Sequence, residues 1–233
     1  MPASETLPVK TEDWTREGAL FVEPRLRALG VPHGLTTLAL GPMADPERRC
    51  AAAREAGIED DAPLTLKQTH SATILSAALE SAGSEGDGWI AGPGFLVGVF
   101  VADCLPLILF DEPVTRVAVV HAGWRGIAAG IAQEAVVRFG GAPERLFAAI
   151  GPHIGACCYT VGSELRERFA PDHFDGDRLD LGAALRAELE NAGLAPDRIG
   201  VSALCTRCRE EDFFSFRRDG TKRNMMAFAG VPR

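Results

Sequence analysis

The sequence predicts an α/β fold, and three observations carry that expectation. Two apolar runs, FLVGVF (95–100) and RVAVV (116–120), are short, β-branched and aromatic and hardly alternate with polar residues, the pattern of strands buried on both faces. Helices with clear amino-terminal caps stand among such runs, one opened by Asp45 and Pro46 and one by Asp180. At HAGWRG (121–126) a strand passes through a glycine-containing turn into a helix start, as in strand–helix units.

In chain order, ALFV (19–22) and HGLTTLAL (33–40) read as strands, the second stopped by Gly41 and Pro42. A helix is expected from Glu47 to about Ala56, with Gly57 as its stop. Leu64 to Leu66 is a short strand candidate that delivers Lys67, Gln68 and His70, and Thr73 to Leu75 is another. The glycine- and serine-rich stretch 81–94 reads as an irregular surface loop. Residues 95–121 supply the central strands, and a helix runs from Ile127 to about Phe139 with Ile127, Ile131, Ala135 and Val136 on one side. LFAAIGP (146–152) is a further strand, Leu181 to Glu190 a helix, and MMAFAG a terminal strand. Without an internal repeat or a low-complexity linker, residues 1–233 form one domain.

A net charge of −8 offers no basic field for a polynucleotide backbone. The amino terminus lacks the apolar core of a leader or anchor, and no apolar run is long enough to span a bilayer. Six cysteines in a chain of this size suit reduced thiols in a cytoplasm. The Arg217, Arg218, Lys222 and Arg223 cluster reads either as a solvated face or as a place to meet one phosphate.

The chemistry gathers at the ends of strands, where α/β proteins place their sites. Asp103 and Cys104 end one run, His121 ends the next, and His70 follows the short upstream strand. Two imidazoles and a thiolate suit zinc, and three protein ligands leave a fourth position open. The spacing is not that of a local zinc finger, and the alternative is a buried Cys104 with satisfied core or turn histidines. Asp87 is either a turn residue or a loop carboxylate approaching the same place. Arg125, beside the helix start after HAGW, marks an anion site. Arg49, in the first turn of its helix, gains there if it reaches an anion. His153 reads as a turn histidine in preference to a fourth metal ligand, Cys157 and Cys158 as packing, and Cys205 and Cys208 as structural or incidental thiols because no second CxxC accompanies them.

KQTHSATI, ADCLPLILFD, VVHAGWRG, IGPHIGACCYTVG and CTRCREEDFFSFRRDG, in this order, closely resemble the laccase-domain family, also called polyphenol-oxidase-like or YfiH-type. The resemblance covers nearly the whole chain. It implies a four-layer α/β/β/α sandwich with mixed sheets of the CNF-toxin/YfiH-like type, and one zinc ion on His70, Cys104 and His121. It further implies action on purine nucleosides: phosphorolysis of adenosine, inosine, guanosine or methylthioadenosine with phosphate as co-substrate, and deamination of adenosine. Arg49 matches the arginine of the family's first helix, whose preceding asparagine is Arg48 in this chain.

On this reading an ion held by the trio activates an oxygen, from water or substrate. Asp103 and Asp87 are the carboxylates at hand for proton transfer, alongside Cys104. Arg49, Lys67, Gln68 and Arg125 are the substrate- and phosphate-binding candidates. Two rivals remain: a copper-dependent polyphenol oxidase, for which five histidines are too few, and a cysteine hydrolase or peptidoglycan-precursor editing factor with Cys104 as nucleophile and His121 as base. A non-catalytic nucleotide-binding module ranks last. The sequence leaves the oligomeric state open, with a monomer plausible.

Overall fold

The long buried runs pair into two facing sheets, and the helices cover their outer sides. A computed structural model describes residues 13–59, 61–78 and 81–231; the amino-terminal segment expected to be neither leader nor anchor lies, over residues 1–12, outside them. The strands are β1 (Thr15–Glu17), β2 (Leu20–Val22), β3 (His33–Thr36), β4 (Ile74–Ser76), β5 (Gly88–Ala91), β6 (Leu96–Val101), β7 (Leu105–Phe110), β8 (Val117–Ala122), β9 (Phe147–Ile150), β10 (Phe174–Asp175), β11 (Arg178–Leu179), β12 (Ile199–Val201) and β13 (Met225–Gly230). The helices are α1 (Pro24–Ala28), α2 (Pro46–Glu55), α3 (Trp124–Ala128), α4 (Ile131–Phe139), α5 (Leu181–Asn191) and α6 (Phe216–Asp219).

One sheet has the order β1-β2-β3-β13-β6 with antiparallel neighbours; Leu64 adds a parallel bridge to Val97 at its β6 edge. The other, β12-β9-β7-β8-β5-β4, is mixed: its two outer pairs are parallel and its interior pairs antiparallel. The period of two along each strand sorts side chains into layers. Leu105, Leu107 and Leu109 of β7 face α3, α4 and α5, while Ile108 and Phe110 face the other sheet. Met225 and Ala227 of β13 enter the inter-sheet core, and Met226 and Phe228 pack with Ala52 and Ala53 of α2. Four layers result, in the order helix, sheet, sheet, helix, as the resemblance implied. Each fully buried large apolar side chain, such as Phe110 or Phe228, contributes about 1.5–3 kcal/mol from its removal from water.

The caps at Asp45 and Asp180 are realised, each side chain accepting a backbone N–H of its helix's first turn. Four expectations need correction. The stretch 81–94 contains β5, an interior strand with fully buried Trp89, whose four residues are disguised by flanking glycines. The strand from His33 ends at Thr36, because Thr37 caps a 3₁₀ turn over Leu38–Leu40. Leu64 to Leu66 contributes the single bridge to Val97 rather than a strand. The helix expected from Ile127 is two: α3 starts earlier, at Trp124, and Gly130 in the left-handed region (φ 79°) separates it from α4. Among the described residues no helix is long and apolar enough to cross a membrane.

Candidate metal centre

The β7–β8 register brings Cys104 and His121 together. Leu105 pairs with Ala122 and Pro106 with His121, so Cys104, one residue before β7, stands opposite Gly123. A side chain at Gly123 would crowd this cluster. A Cβ there would lie 3.1 Å from Cys104 Sγ, 3.1 Å from His70 Cδ2 and 3.7 Å from His121 Cε1, in contact with all three candidate donors. His70 arrives from the loop before β4, with its own backbone in the left-handed region (φ 59°). The donor atoms of His70, Cys104 and His121 lie within 4.8 Å of one another, and the two imidazole rings stand 4.8 Å apart at 85°. His121 is buried, Cys104 half-buried and His70 exposed, so the centre opens to solvent on the His70 side.

Asp87, in the turn before β5, fixes this arrangement. Its Oδ1 accepts from His121 Nδ1 (2.9 Å) and the His70 backbone N–H (3.0 Å), and its Oδ2 from the backbone N–H groups and hydroxyls of Thr69 and Ser71. The carboxylate is fully buried and surrounded by donors. Burial would raise its pKa, but the hydrogen bonds from His121 and Ser71 hold it well below the usual carboxylate range. The bond to Nδ1 leaves His121 Nε2 free to face the centre, the carboxylate–histidine arrangement that orients metal ligands.

Burial alone would raise the Cys104 pKa, yet the His121 charge and hydrogen bonds from His121 and His70 bring it down to about 6. Burial would lower the His121 pKa, but Cys104 and Asp87 raise it to about 9. The metal-free protein therefore carries a thiolate–imidazolium pair between those values. A cavity that a methyl group would fill, an ionised sulfur and two imidazoles fit a borderline-soft divalent cation.

Asp103 precedes Cys104 with φ 83°, a conformation that costs a non-glycine residue about 1–3 kcal/mol. Its buried carboxylate accepts from Thr206 Oγ1 (2.6 Å), Ser215 Oγ (3.1 Å) and the Arg217 N–H (2.7 Å). The Cys104 turn is thereby tied to the chain around α6. The other sequence candidates bond or stack outside the cluster. Lys67 forms an exposed ion pair with Glu85. Gln68 uses both ends of its amide on the Phe100 backbone in β6. Arg49 donates to the Met43 and Ala44 carbonyls. Arg125 stacks on Trp124 at 4.3 Å and, with Arg168, lines an open cavity of about 200 Å³.

Sequence reasoning missed Tyr159, the single tyrosine of the chain, in the motif that follows β9. Burial raises its pKa, the Cys104 thiolate adds to the rise, and Arg217 and Arg125 oppose it, so these groups share one electrostatic neighbourhood. The cluster read as a solvated face is in part a knot: Arg218 bonds Asp219 and the Thr206, Arg207 and Phe213 carbonyls, and Arg217 bonds the Thr160 carbonyl. His153 is the expected turn histidine, buried with Nδ1–H on the Gly151 carbonyl. Cys157, Cys158, Cys205 and Cys208, read as unconnected thiols, are gathered into a second cluster.

Residues 44–231 match the family model described as multi-copper polyphenol oxidoreductase laccase. A Deinococcus radiodurans protein named purine nucleoside phosphorylase is 35% identical over 90% of this chain and 94% of its own length. A protein named adenosine deaminase RL5, from an unknown prokaryotic organism, is 34% identical over 80% of this chain and 81% of its own. The crystal structure of YlmD from Geobacillus stearothermophilus superimposes with a TM-score of 0.86 at 30% identity, covering 95% of this chain and all of that one. With the whole sandwich and nearly the whole sequence shared, the chain belongs to the multi-copper polyphenol oxidoreductase laccase family, the laccase-domain or YfiH type.

Proposed function

We propose that the chain is a zinc-dependent purine nucleoside phosphorylase, able also to deaminate adenosine and to phosphorolyse methylthioadenosine. The observation that carries this reading is the His70–Cys104–His121 cluster, closed on one side by Asp87 and open on the His70 side, with Arg125 and Arg217 near Tyr159 beside it. The names of two relatives, a purine nucleoside phosphorylase and an adenosine deaminase, point to the same substrates. When bound, zinc supplies Lewis acidity toward an oxygen of water or phosphate.

The protein's own groups perform the positioning. His70, Cys104 and His121 present three donors, and Asp87 holds His121 in the tautomer that turns Nε2 inward. Arg125 and Arg217 supply positive charge for a phosphate that must approach the ribose carbon as the purine departs. Asp103 already accepts three protein hydrogen bonds, so its role in this scheme is to position Cys104 and the Arg217 backbone. Six unpaired cysteines suit a reducing, cytoplasmic setting.

The copper-oxidase reading of the family's description meets an inventory limit. Of the five histidines, His33 and His153 are buried with ring nitrogens on backbone groups and His173 ends a 3₁₀ turn, leaving His70 and His121 at the centre. The cysteine-hydrolase reading is favoured by one observation, the Cys104–His121 ion pair, which is also how a nucleophilic thiol is activated.

Products formed from adenosine, with and without phosphate and after chelation and zinc restoration, separate these readings. Adenine and ribose 1-phosphate formed only with phosphate are expected, together with inosine without it, both lost on chelation and recovered with zinc. Absence of both products from fully metallated protein would refute the assignment. Turnover that survives chelation and is abolished by thiol alkylation would favour the hydrolase.

A further inference from the structure

The geometry points to a second metal site, in which Cys157, Cys158, Cys205 and Cys208 hold a structural zinc ion as four thiolates. The four sulfurs lie within 4.8 Å of one another. Three separations are resolved individually: Cys157 to Cys158 is 3.7 Å, Cys157 to Cys208 is 3.8 Å and Cys158 to Cys208 is 3.4 Å. A zinc–sulfur bond of about 2.3 Å in a tetrahedron requires sulfurs about 3.8 Å apart, so these thiols already stand close to the edges of that figure. A disulfide would need about 2.0 Å, and all four cysteines are free.

Sheet topology explains the meeting of residues some 50 positions apart. Strands β9 and β12 are parallel neighbours with Ile150 beside Val201, so the loops after them leave the same end of the sheet together. The pairing continues past the strands: Ser202 N–H donates to the Ile150 carbonyl, His153 N–H to Leu204 and Thr206 N–H to His153. Cys205 then sits under the first loop, where the Gly155 N–H donates to its Sγ at 3.3 Å, a contact that suits a ligating sulfur. A CxxC turn from one loop and an adjacent cysteine pair from the other complete a ligand set drawn from two segments, with no position left for substrate. Closed tetrahedral thiolate sites of this kind stabilise folds rather than catalyse.

The location gives the site a purpose. Cys158 precedes Tyr159, and Thr206, between the CxxC cysteines, bonds Asp103 next to Cys104. An ion here would pin together the two loops that frame the Tyr159 side of the first centre, and its binding would release the thiol protons. The inference rests on the four sulfurs alone and stands whatever reaction the first centre performs.

Metal analysis of the full chain, purified under reducing conditions and reloaded with zinc, tests it. About two zinc ions per chain are expected, falling to about one in Cys104→Ala and to about one in the double variant Cys157→Ser with Cys208→Ser. Both serines replace exposed residues, which limits the risk to folding. Cobalt bound to Cys104→Ala should show intense sulfur-to-cobalt charge-transfer absorption, because the cluster supplies four thiolates. If the double variant fails to fold, alkylation mapping of the wild-type protein decides: zinc must protect Cys157 and Cys208, and chelation must expose them. The same zinc count in wild type and double variant, no zinc protection of Cys157 and Cys208, or a disulfide within the cluster in reduced protein would overturn the proposal.

Discussion

Replacing Asp87 by asparagine removes one charge while keeping shape, and the hydrogen bonds around the carboxylate determine the cost. The carboxylate accepts from six donors, of which the Thr69, His70 and Ser71 N–H groups belong to the backbone and cannot turn away. In Asp87→Asn one oxygen becomes an NH₂ group. Placed at Oδ2, it faces the Thr69 and Ser71 N–H groups; placed at Oδ1, it faces His70 N–H and His121 Nδ1. Either way two donors lose their acceptor. A buried donor left without its acceptor costs about 1–3 kcal/mol, so two of them give an expected loss of about 2–6 kcal/mol in folding stability. Loss of such an orienting carboxylate also lowers metal affinity by about 10–100-fold.

The proton balance adds a sharper signature. With His121 near 9 and Cys104 near 6 in the metal-free protein, zinc must expel the His121 proton at neutral pH and a second proton below about pH 6. Wild-type affinity should therefore rise about tenfold per pH unit between those values and level off above about 9. Without the Asp87 charge the His121 pKa falls, and the levelling must begin at lower pH. Asp87 has a depressed folded-state pKa, so its stabilisation is present above the ordinary carboxylate range and lost as acid protonates it. Competition with a chromophoric zinc chelator across pH, with urea unfolding of the metal-free protein, measures all of this. Affinity within about twofold of wild type and an unmoved plateau would refute the orienting role.

Cys104 and Gly123 give two more expected outcomes. In metal-free protein the rate of Cys104 alkylation, read by peptide mapping, should have its midpoint near pH 6 and collapse on zinc loading; a midpoint near the usual thiol value of about 8.5 would show that no thiolate–imidazolium pair forms. Gly123→Ala places a methyl group among the ligands and should cut zinc affinity by more than about tenfold with a stability loss of only about 1–3 kcal/mol, measured by metal content and thermal unfolding; full zinc occupancy at wild-type affinity would show that the ion does not sit among these three side chains.

The legible and illegible parts of this chain differ in the length of sequence over which their causes act. Runs such as Leu105–Phe110 and Val117–Ala122 are buried on both faces, so their composition alone announces strands, and the candidate ligands at their ends can be read with them. Strand β5 obeys the same physics but is four residues long, and Gly88 is required because a Cβ would come within 2.4 Å of Ile74 Cδ1; the residue that permits the packing is the one that makes the segment look like a loop. The role of Asp87 rests on six donors from a handful of residues, a contact pattern with no periodicity to detect. Tyr159 and the four-cysteine cluster depend on β9 and β12 being parallel neighbours, a tertiary fact that leaves only an adjacent pair and one CxxC on the chain. Counting cysteines across motifs, rather than asking each motif for its own partner, is the available signal: two cysteine pairs in a chain whose cysteines are all free add up to one candidate four-thiolate set.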